Sequence, residues 1–262
     1  MTRLGFIGTG SITAAMVRGL KASPLQASPL QAWPVLLTPR NAGLAAELAA
    51  GLPGVTVAAD NQAVVDGADM VFLAVRPQIA ESVLRPLHFR AGQNVVSLIA
   101  GVSCQTISDW TGATQVTRAI PLPFVQDRSD VTPIHPPRAD VAQVFDALGK
   151  ALPVTDAKAF DVYSSASALM ATYFSLVETV SDWMVAQGLE DADARSYLGA
   201  LFGNLGDVLR GDLRSLEALR VAHSTAGGLN EQVFHQFTAA GGAAALTDAL
   251  TSVYHRVAGQ KP

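Results

Sequence analysis

The residues with the clearest chemical potential lie near the N-terminus, where Gly8 and Gly10 follow an apolar run that begins at Leu4. From Ser11 the apolar residues recur with helical spacing, so this stretch predicts a strand, a tight turn and a helix. Glycines let the backbone turn sharply and approach a ligand, and the amides and dipole of a helix N-terminus attract anions. We therefore predict a dinucleotide-binding turn that holds a pyrophosphate, formed by Gly8, Thr9, Gly10, Ser11 and Ile12.

The turn departs from the usual Gly-x-Gly-x-x-Gly pattern at one position. The third glycine falls at Thr13, and this glycine normally allows the helix to pack closely on the strand. We therefore expect somewhat looser packing of the helix on the strand. A structural glycine turn without a ligand is the alternative interpretation.

Arg40 follows the second predicted strand, at residues 35–38, in the turn Thr-Pro-Arg-Asn. In a dinucleotide-binding domain, an acidic residue near this position binds the ribose of NAD, whereas an arginine suits the 2′-phosphate of NADP. No Asp or Glu occurs in this turn. The sequence therefore predicts NADP as the cofactor, and a solvated loop arginine is the alternative.

Two longer apolar runs predict strands that are buried on both faces, as in a parallel sheet. Residues 70–75 end at Arg76 and Pro77, and residues 94–99 end at Ala100 and Gly101. Open α/β sheets bind ligands outside the carboxyl ends of their strands, so these two ends should border the nicotinamide half of the cofactor. We predict further strands at residues 55–57, 115–119 and 152–154, a loop in the tandem repeat 22–31, and an irregular proline-rich segment at 121–137.

The second half of the sequence is predicted to be helical. Residues 158–187 read as one helix that ends before Gly188, and its apolar belt is wider than one stripe. A second subunit on the far face would explain this width, and a buried core helix is the alternative. Further helices are predicted at residues 191–210, 212–222, 230–238 and 243–257.

Gly227 and Gly228 separate two of these helices. The free amides at the start of the following helix could hold a carboxylate, although a plain turn between helices would look similar. His223, Glu231 and His235 are nearby candidates for proton donors.

Composition excludes several classes of function. The 262 residues are 49% hydrophobic and carry a net charge of −4 without a basic run, so we expect no nucleic-acid partner. No apolar stretch reaches membrane-spanning length and no leader pattern is present, which predicts a cytoplasmic protein without membrane contact. Cys104 is the single cysteine and the five histidines lack ligand spacing, so no metal is expected.

The chain resembles the pyrroline-5-carboxylate reductases in six motifs that occur in the same order. They are Gly-Phe-Ile-Gly-Thr-Gly from Gly5, Asn61-Gln62, Asp69 with the strand that ends at Pro77, Val-Ser-Leu-Ile-Ala-Gly from Val96, Arg-Ala-Ile-Pro from Arg118, and Thr-Ala-Gly-Gly from Thr225.

This resemblance implies a Rossmann-like α/β domain with a parallel sheet at residues 1–157, which holds NADPH. It also implies an all-α domain at residues 158–262, which forms a homodimer or a higher homo-oligomer and contributes to the substrate site. The implied cofactor neighbours are Arg40, Asn61, Ala74, Val75, Arg76, Pro77, Ala100 and Gly101.

The resemblance further implies that one loop cradles the substrate carboxylate, with Asn230 beside the imine as the catalytic candidate. The substrate-binding residues of this loop are Thr225, Ala226, Gly227, Gly228 and Leu229. The family has an Asn where this chain has Leu122 and a Thr where it has Asn230. These departures leave the substrate less certain than the cofactor.

The implied activity is the NADPH-dependent reduction of a cyclic imine, with 1-pyrroline-5-carboxylate, reduced to proline, as the first expectation. Hydride transfer to an iminium needs no acid-base triad, which fits the lack of a conspicuous catalytic His or Lys. The alternatives are a related reductase of another imine or of a keto acid, and a non-catalytic dinucleotide-binding regulator.

Overall fold

A computed structural model describes residues 2–22 and 33–259 of the chain. Its first part contains an eight-stranded sheet with the strand order β3-β2-β1-β4-β5-β6-β7-β8. The strands are β1 (Leu4–Ile7), β2 (Val35–Leu37), β3 (Val55–Val57), β4 (Met70–Leu73), β5 (Asn94–Ser97), β6 (Gln115–Ala119), β7 (Asp130–His135) and β8 (Gly149–Pro153).

Strands β1 to β6 are parallel, β7 runs antiparallel to β6, and β8 is parallel to β7. The order reverses between β1 and β4, which is where open α/β sheets bind their ligands. The connecting helices are α1 (Ser11–Lys21), α2 (Ala42–Gly51), α3 (Asn61–Gly67), α4 (Pro77–Leu84), α5 (Cys104–Thr111), α6 (Ala139–Ala147) and α7 (Ala157–Ala166). This arrangement confirms the predicted Rossmann-like fold with a largely parallel sheet.

The central strands have apolar side chains on both faces. Phe6 and Phe72 stack on one face, with ring centroids 4.7 Å apart, and Phe145 of α6 meets Phe72 edge-on. Ile7 and Leu73 belong to the cluster on the other face. Burial on both faces explains why these strands read as continuous apolar runs in the sequence.

The second part of the chain is helical, as predicted. Its helices are α8 (Met170–Ala186), α9 (Asp191–Gly211), α10 (Leu216–Ala222), α11 (Leu229–Ala239) and α12 (Gly242–Val257). Gly188 has a φ of +99° just after α8, and the N–H of Leu189 bonds to the carbonyl of Met184 at 3.2 Å. This left-handed glycine confirms the predicted stop.

The prediction of one continuous helix at residues 158–187 is wrong. A 3₁₀ turn at Ser167–Leu169 separates α7 from α8. The hydroxyls of Ser165 and Ser167 bond to backbone carbonyls of the preceding turn, at Asp161 and Ser164. Such bonds compete with the helical ladder and favour a bend or break.

The irregular segment predicted at residues 121–137 is also partly wrong, because it contains β7. Helices α5 and α6 were not predicted either. The loop predicted for the tandem repeat lies largely outside the described residues.

The described chain divides into two compact units. One unit ends at Ser167 and also takes in the residues from Tyr254 onward, and the other is Ala168–Val253. The predicted domain boundary between residues 157 and 158 stays a prediction.

Candidate cofactor site and substrate loop

The turn after β1 depends on glycine at one position. Gly8 has a φ of +102°, and a Cβ atom there would lie 2.5 Å from the backbone oxygen of Ala74 at the end of β4. Any other residue would be strained and would push the two strand ends apart. The sequence and the packing therefore agree that this turn needs a glycine.

Three threonines hold the turn in place. The N–H of Gly8 donates to Oγ1 of Thr38 at 3.0 Å, and the hydroxyl of Thr9 donates to the carbonyl of Thr38 at 2.8 Å. The hydroxyl of Thr13 donates to the carbonyl of Gly8 at 2.7 Å, from the position where the usual pattern has its third glycine. Both Thr13 and Thr38 are fully buried. A hydrogen bond thus closes the turn where a glycine would normally allow close packing.

The N-terminus of α1 faces open space. Its cap residue is Gly10, no side chain caps the helix, and a Cβ on Gly10 would meet nothing within 4 Å. The first N–H groups of a helix have no partners within the helix, so those from Ser11 onward can bind an anion. Gly8 shapes the turn but offers no free donor to an anion, because its N–H is hydrogen-bonded to Oγ1 of Thr38.

Arg40 lies just beyond β2, exposed to solvent. Its guanidinium makes no hydrogen bond or ion pair with the described residues. The first carboxylate after β2 is Glu47, which pairs with Arg18 of α1 at 2.6 Å. The end of β2 therefore offers a cation and no free acid, which suits a phosphate better than a ribose diol.

The ends of β4 and β5 lie side by side, because Leu73 pairs with Ser97 in the parallel ladder. Ala74, Val75, Arg76 and Pro77 follow β4, and Ala100 and Gly101 follow β5. Arg76 is exposed and immediately precedes α4, whose first residue is Pro77. The structure thus brings these segments to the same edge of the sheet as the glycine turn. Their roles as cofactor neighbours, and that of Asn61 at the start of α3, stay predictions.

Sequence analysis did not assign a role to the buried Arg118 of β6. This residue pairs with Asp161 of α7 at 2.9 Å, and its guanidinium lies 4.5 Å from the ring centroid of Phe160. At the start of β7, Asp130 accepts hydrogen bonds from the N–H of Leu122 and the hydroxyl of Thr132. The Arg118–Asp161 pair fixes α7 to the sheet. The sequence around Asp161 does not indicate that its partner is an arginine on a distant strand.

The loop before α11 uses several of its own donors internally. The N–H of Gly227 donates to Oε2 of Glu231 at 2.7 Å, and the N–H of Gly228 donates to the carbonyl of Thr225 at 2.8 Å. The Nδ2 group of Asn230 donates to the carbonyl of His223 at 2.8 Å. The predicted roles of Thr225, Ala226, Gly227, Gly228, Leu229 and Asn230 in substrate binding stay predictions.

The proton-donor candidates are also engaged. Nδ1 of His223 lies 2.8 Å from the carbonyl of Leu219, and Nε2 of His235 lies 3.9 Å from Oε1 of Glu231. Glu231 therefore contacts both the loop backbone and the following turn of its own helix.

The unit Ala168–Val253 exposes many large apolar side chains. Phe174 is 65% exposed and Trp183 is 63% exposed on α8, and Tyr197 is 62% exposed on α9. A groove of about 600 Å³ between α8 and α9 is lined by Phe174, Val177, Leu198 and Phe202 together with polar residues. Apolar surface on this scale marks an interaction surface.

The fold and the glycine turn define a Rossmann-like dinucleotide-binding protein with a helical second half. The family described as "NADP oxidoreductase coenzyme F420-dependent" matches residues 3–101, and "Pyrroline-5-carboxylate reductase dimerisation" matches residues 157–259. Through its second half the chain is similar to the pyrroline-5-carboxylate reductases.

Curated relatives and solved structures agree with this placement. The pyrroline-5-carboxylate reductase of Pseudomonas aeruginosa is 27% identical over 269 residues, which cover 98% of this chain and 96% of that protein. The Arabidopsis thaliana pyrroline-5-carboxylate reductase is 28% identical over 197 residues, with coverage of 71% and 69%. The fold is similar to that of 1-pyrroline-5-carboxylate reductase from Streptococcus pyogenes, at a TM-score of 0.84, 22% identity and 98% coverage of both chains. It is also similar to Plasmodium falciparum pyrroline carboxylate reductase with NADP bound, at 0.77, 14% identity and coverage of 98% and 97%.

Two further features bear on partners. No helix within residues 2–22 and 33–259 is long and apolar enough to cross a membrane. Among the same residues, no three His, Cys, Asp or Glu side chains form a group that could hold a metal ion.

Proposed function

We propose that this protein is an NADPH-dependent reductase of a cyclic imine and that it reduces 1-pyrroline-5-carboxylate to proline. The observation that carries the proposal is the likeness to pyrroline-5-carboxylate reductases along almost the whole chain. The glycine turn held by Thr38 gives this likeness a physical basis, because it preserves an anion-binding helix N-terminus at the switch point of the sheet.

The residues of the first unit fit NADP. The uncapped start of α1 suits the pyrophosphate, and Arg40 suits the 2′-phosphate because it has no competing partner among the described residues. When bound, the dinucleotide supplies a hydride at its nicotinamide ring. The ends of β4 and β5, with the small residues Ala74, Ala100 and Gly101, would allow that ring to lie close to the backbone.

The chain's contribution to the chemistry is orientation and exclusion of water. An iminium carbon already carries positive charge, so it accepts a hydride without a general acid at a carbonyl oxygen. We propose that the loop of residues 225–230 places the imine, with Asn230 at its edge. One N–H of the Nδ2 group of Asn230 is bound to the carbonyl of His223, so the side-chain oxygen and the second N–H are the groups that Asn230 can present to the imine.

The match to the dimerisation family indicates a homo-oligomer. We propose a homodimer in which a second copy covers the exposed apolar side chains of α8 and α9, Phe174 and Trp183 among them. Sedimentation of Trp183→Asp tests this: the variant should shift towards monomer while keeping its helical circular dichroism. Phe124→Asp, at an exposed aromatic residue of the first unit, is the control and should leave the assembly unchanged. A wild-type chain that is active as a monomer at micromolar concentration would contradict the dimer.

Two departures from the family motifs favour a related substrate as the second candidate. Leu122 and Asn230 replace an Asn and a Thr, so another cyclic imine or a keto acid could be the preferred substrate. The cytoplasm is the proposed location.

Steady-state assays of NADPH oxidation decide between these candidates. The panel should contain 1-pyrroline-5-carboxylate, its carboxylate-free analogue 1-pyrroline, a six-membered cyclic imine and an open-chain keto acid. Turnover of the imines without turnover of the keto acid supports the proposal. Turnover of the keto acid alone, or of nothing in the panel, would contradict it.

A further inference from the structure

The side chain of Glu231 accepts a hydrogen bond from a backbone N–H group of the substrate loop. Its Oε2 atom accepts the N–H of Gly227 at 2.7 Å, and its other oxygen lies 3.9 Å from His235. Gly227 has a φ of +71°, which turns this N–H away from the regular backbone pattern. A carboxylate of the chain itself therefore sits where a ligand carboxylate would bind that amide.

The neighbouring donors are limited as well. The N–H of Gly228 is bound to Thr225, and a Cβ at Gly228 would lie 2.8 Å from the same carbonyl oxygen. The first intrahelical bond of α11 runs from Gln232 to Gly228. The backbone N–H groups of the first turn of α11 have no partner within the helix, so a ligand could bind them. The negatively charged side chain of Glu231 belongs to this same turn.

A second carboxylate bound at this turn would lie close to the first. Two unit charges about 4 Å apart repel each other by an amount worth at least about fivefold in affinity, even when water screens them fully. A neutral group at the same place meets no such repulsion. The helix dipole attracts both carboxylates, but Glu231 is tethered and already in place.

We propose that Glu231 is a specificity-determining residue that fills the carboxylate position of this loop, so that the enzyme favours cyclic imines without a carboxylate over 1-pyrroline-5-carboxylate. This inference rests on the proposed function, because it takes the loop of residues 225–230 as the substrate loop. It deepens that function by naming the preferred class of imine.

The test compares the wild-type protein with Glu231→Gln. The amide oxygen of glutamine can still accept the N–H of Gly227, so the loop is kept while the charge is removed. KM and kcat are measured with NADPH for 1-pyrroline-5-carboxylate and for 1-pyrroline. The two imines share the ring, so any general effect on ring binding cancels in the ratio of their KM values.

In Glu231→Gln the ratio of KM for 1-pyrroline-5-carboxylate to KM for 1-pyrroline should fall at least about fivefold. Glu217→Gln is the matched control, since Glu217 lies exposed on α10 in the same unit. It should leave the ratio unchanged. An unchanged ratio in Glu231→Gln, or an equal change in the control, would overturn the inference.

Calorimetric binding of proline and of pyrrolidine to the protein with NADP⁺ separates this inference from the proposed function. The ratio of the Kd for proline to the Kd for pyrrolidine should also fall at least about fivefold in Glu231→Gln. If no imine is reduced by either protein, the proposed function fails, and the binding ratio still decides the role of Glu231. An unchanged binding ratio, or no binding of either ligand to Glu231→Gln, would overturn that role.

Discussion

The backbone N–H of Gly8 donates to Oγ1 of Thr38 at 3.0 Å, and this bond ties the end of β1 to the end of β2. The carbonyl of Thr38 in turn accepts the hydroxyl of Thr9. A residue outside the glycine motif thus fixes the shape of the turn that precedes the helix N-terminus. The amides of α1 that we propose to bind the pyrophosphate therefore depend on Thr38 for their position.

Thr38→Val should therefore lower both stability and cofactor affinity. Valine keeps the shape of threonine but leaves the partly buried N–H of Gly8 without an acceptor, which costs about 1 to 3 kcal/mol. Urea unfolding and NADPH titration measure the two effects. Thr56→Val on β3 is the control, because its hydroxyl makes only a long bond of 3.4 Å to Val35. Equal NADPH affinity in Thr38→Val and wild type would contradict the account of the turn.

Arg40→Ala should weaken NADPH binding and leave NADH binding unchanged. A charge-assisted contact to the 2′-phosphate is worth roughly 1 to 3 kcal/mol, or about fivefold to 150-fold in Kd. Fluorescence titration with both dinucleotides gives the comparison. Arg85→Ala removes an exposed arginine that pairs with Glu81 and should change neither Kd. An equal loss of affinity for NADPH and NADH would show that Arg40 does not contact the 2′-phosphate.

Gly19→Ala should destabilise the first unit. Gly19 lies on α1 where the helix meets the 3₁₀ turn Pro123–Asp127, and a Cβ there would lie 2.2 Å from the carbonyl oxygen of Val125. Overpacking of this kind costs about 1 to 3 kcal/mol. Gly43→Ala on α2 is the control, because nothing lies within 4 Å of its Cβ position and alanine favours a helix. Equal unfolding midpoints for the two variants would contradict the close contact.

Because of Cys104, we expect the folding stability of the protein to fall at alkaline pH. Burial raises the pKa of its thiol above the ordinary value of 9.0, and the sulfur donates weakly to the carbonyl of His135. A raised pKa in the folded state contributes stability that is present below the unfolded pKa and is lost as pH rises through the folded pKa. Urea unfolding at neutral pH and near pH 10 should show a larger loss for wild type than for Cys104→Ala. An equal loss would show that the thiol is not buried as described.

Sequence patterns within short segments predicted several elements of the first unit correctly. The glycine turn, the buried runs of β4 and β5, and the short β3 follow from periodicity and turn chemistry. β7 was missed because Pro133 lies within it and prolines usually mark irregular chain. Despite this proline the strand keeps a bond on one side, because the carbonyl of Pro133 accepts the N–H of Ile120.

The functional loops were harder to predict because their hydrogen bonds depend on the orientation of side chains and backbone groups. The sequence predicted free amides at Gly227 and Gly228, but in the structure Glu231 accepts the N–H of Gly227 and the carbonyl of Thr225 accepts the N–H of Gly228. A glutamate three residues into a helix is a known signature of such a reverse contact, and it was the available signal here. The Arg118–Asp161 pair joins residues 43 positions apart and had no local signal.

Isotope transfer tests the central claim most directly. NADPH that carries deuterium at the transferable position is incubated with the protein and 1-pyrroline-5-carboxylate, and the products are analysed by mass spectrometry. The account predicts proline with one deuterium on the former imine carbon, formed in step with NADP⁺. No deuterated proline, or consumption of NADPH without it, would contradict the proposed reduction of 1-pyrroline-5-carboxylate to proline.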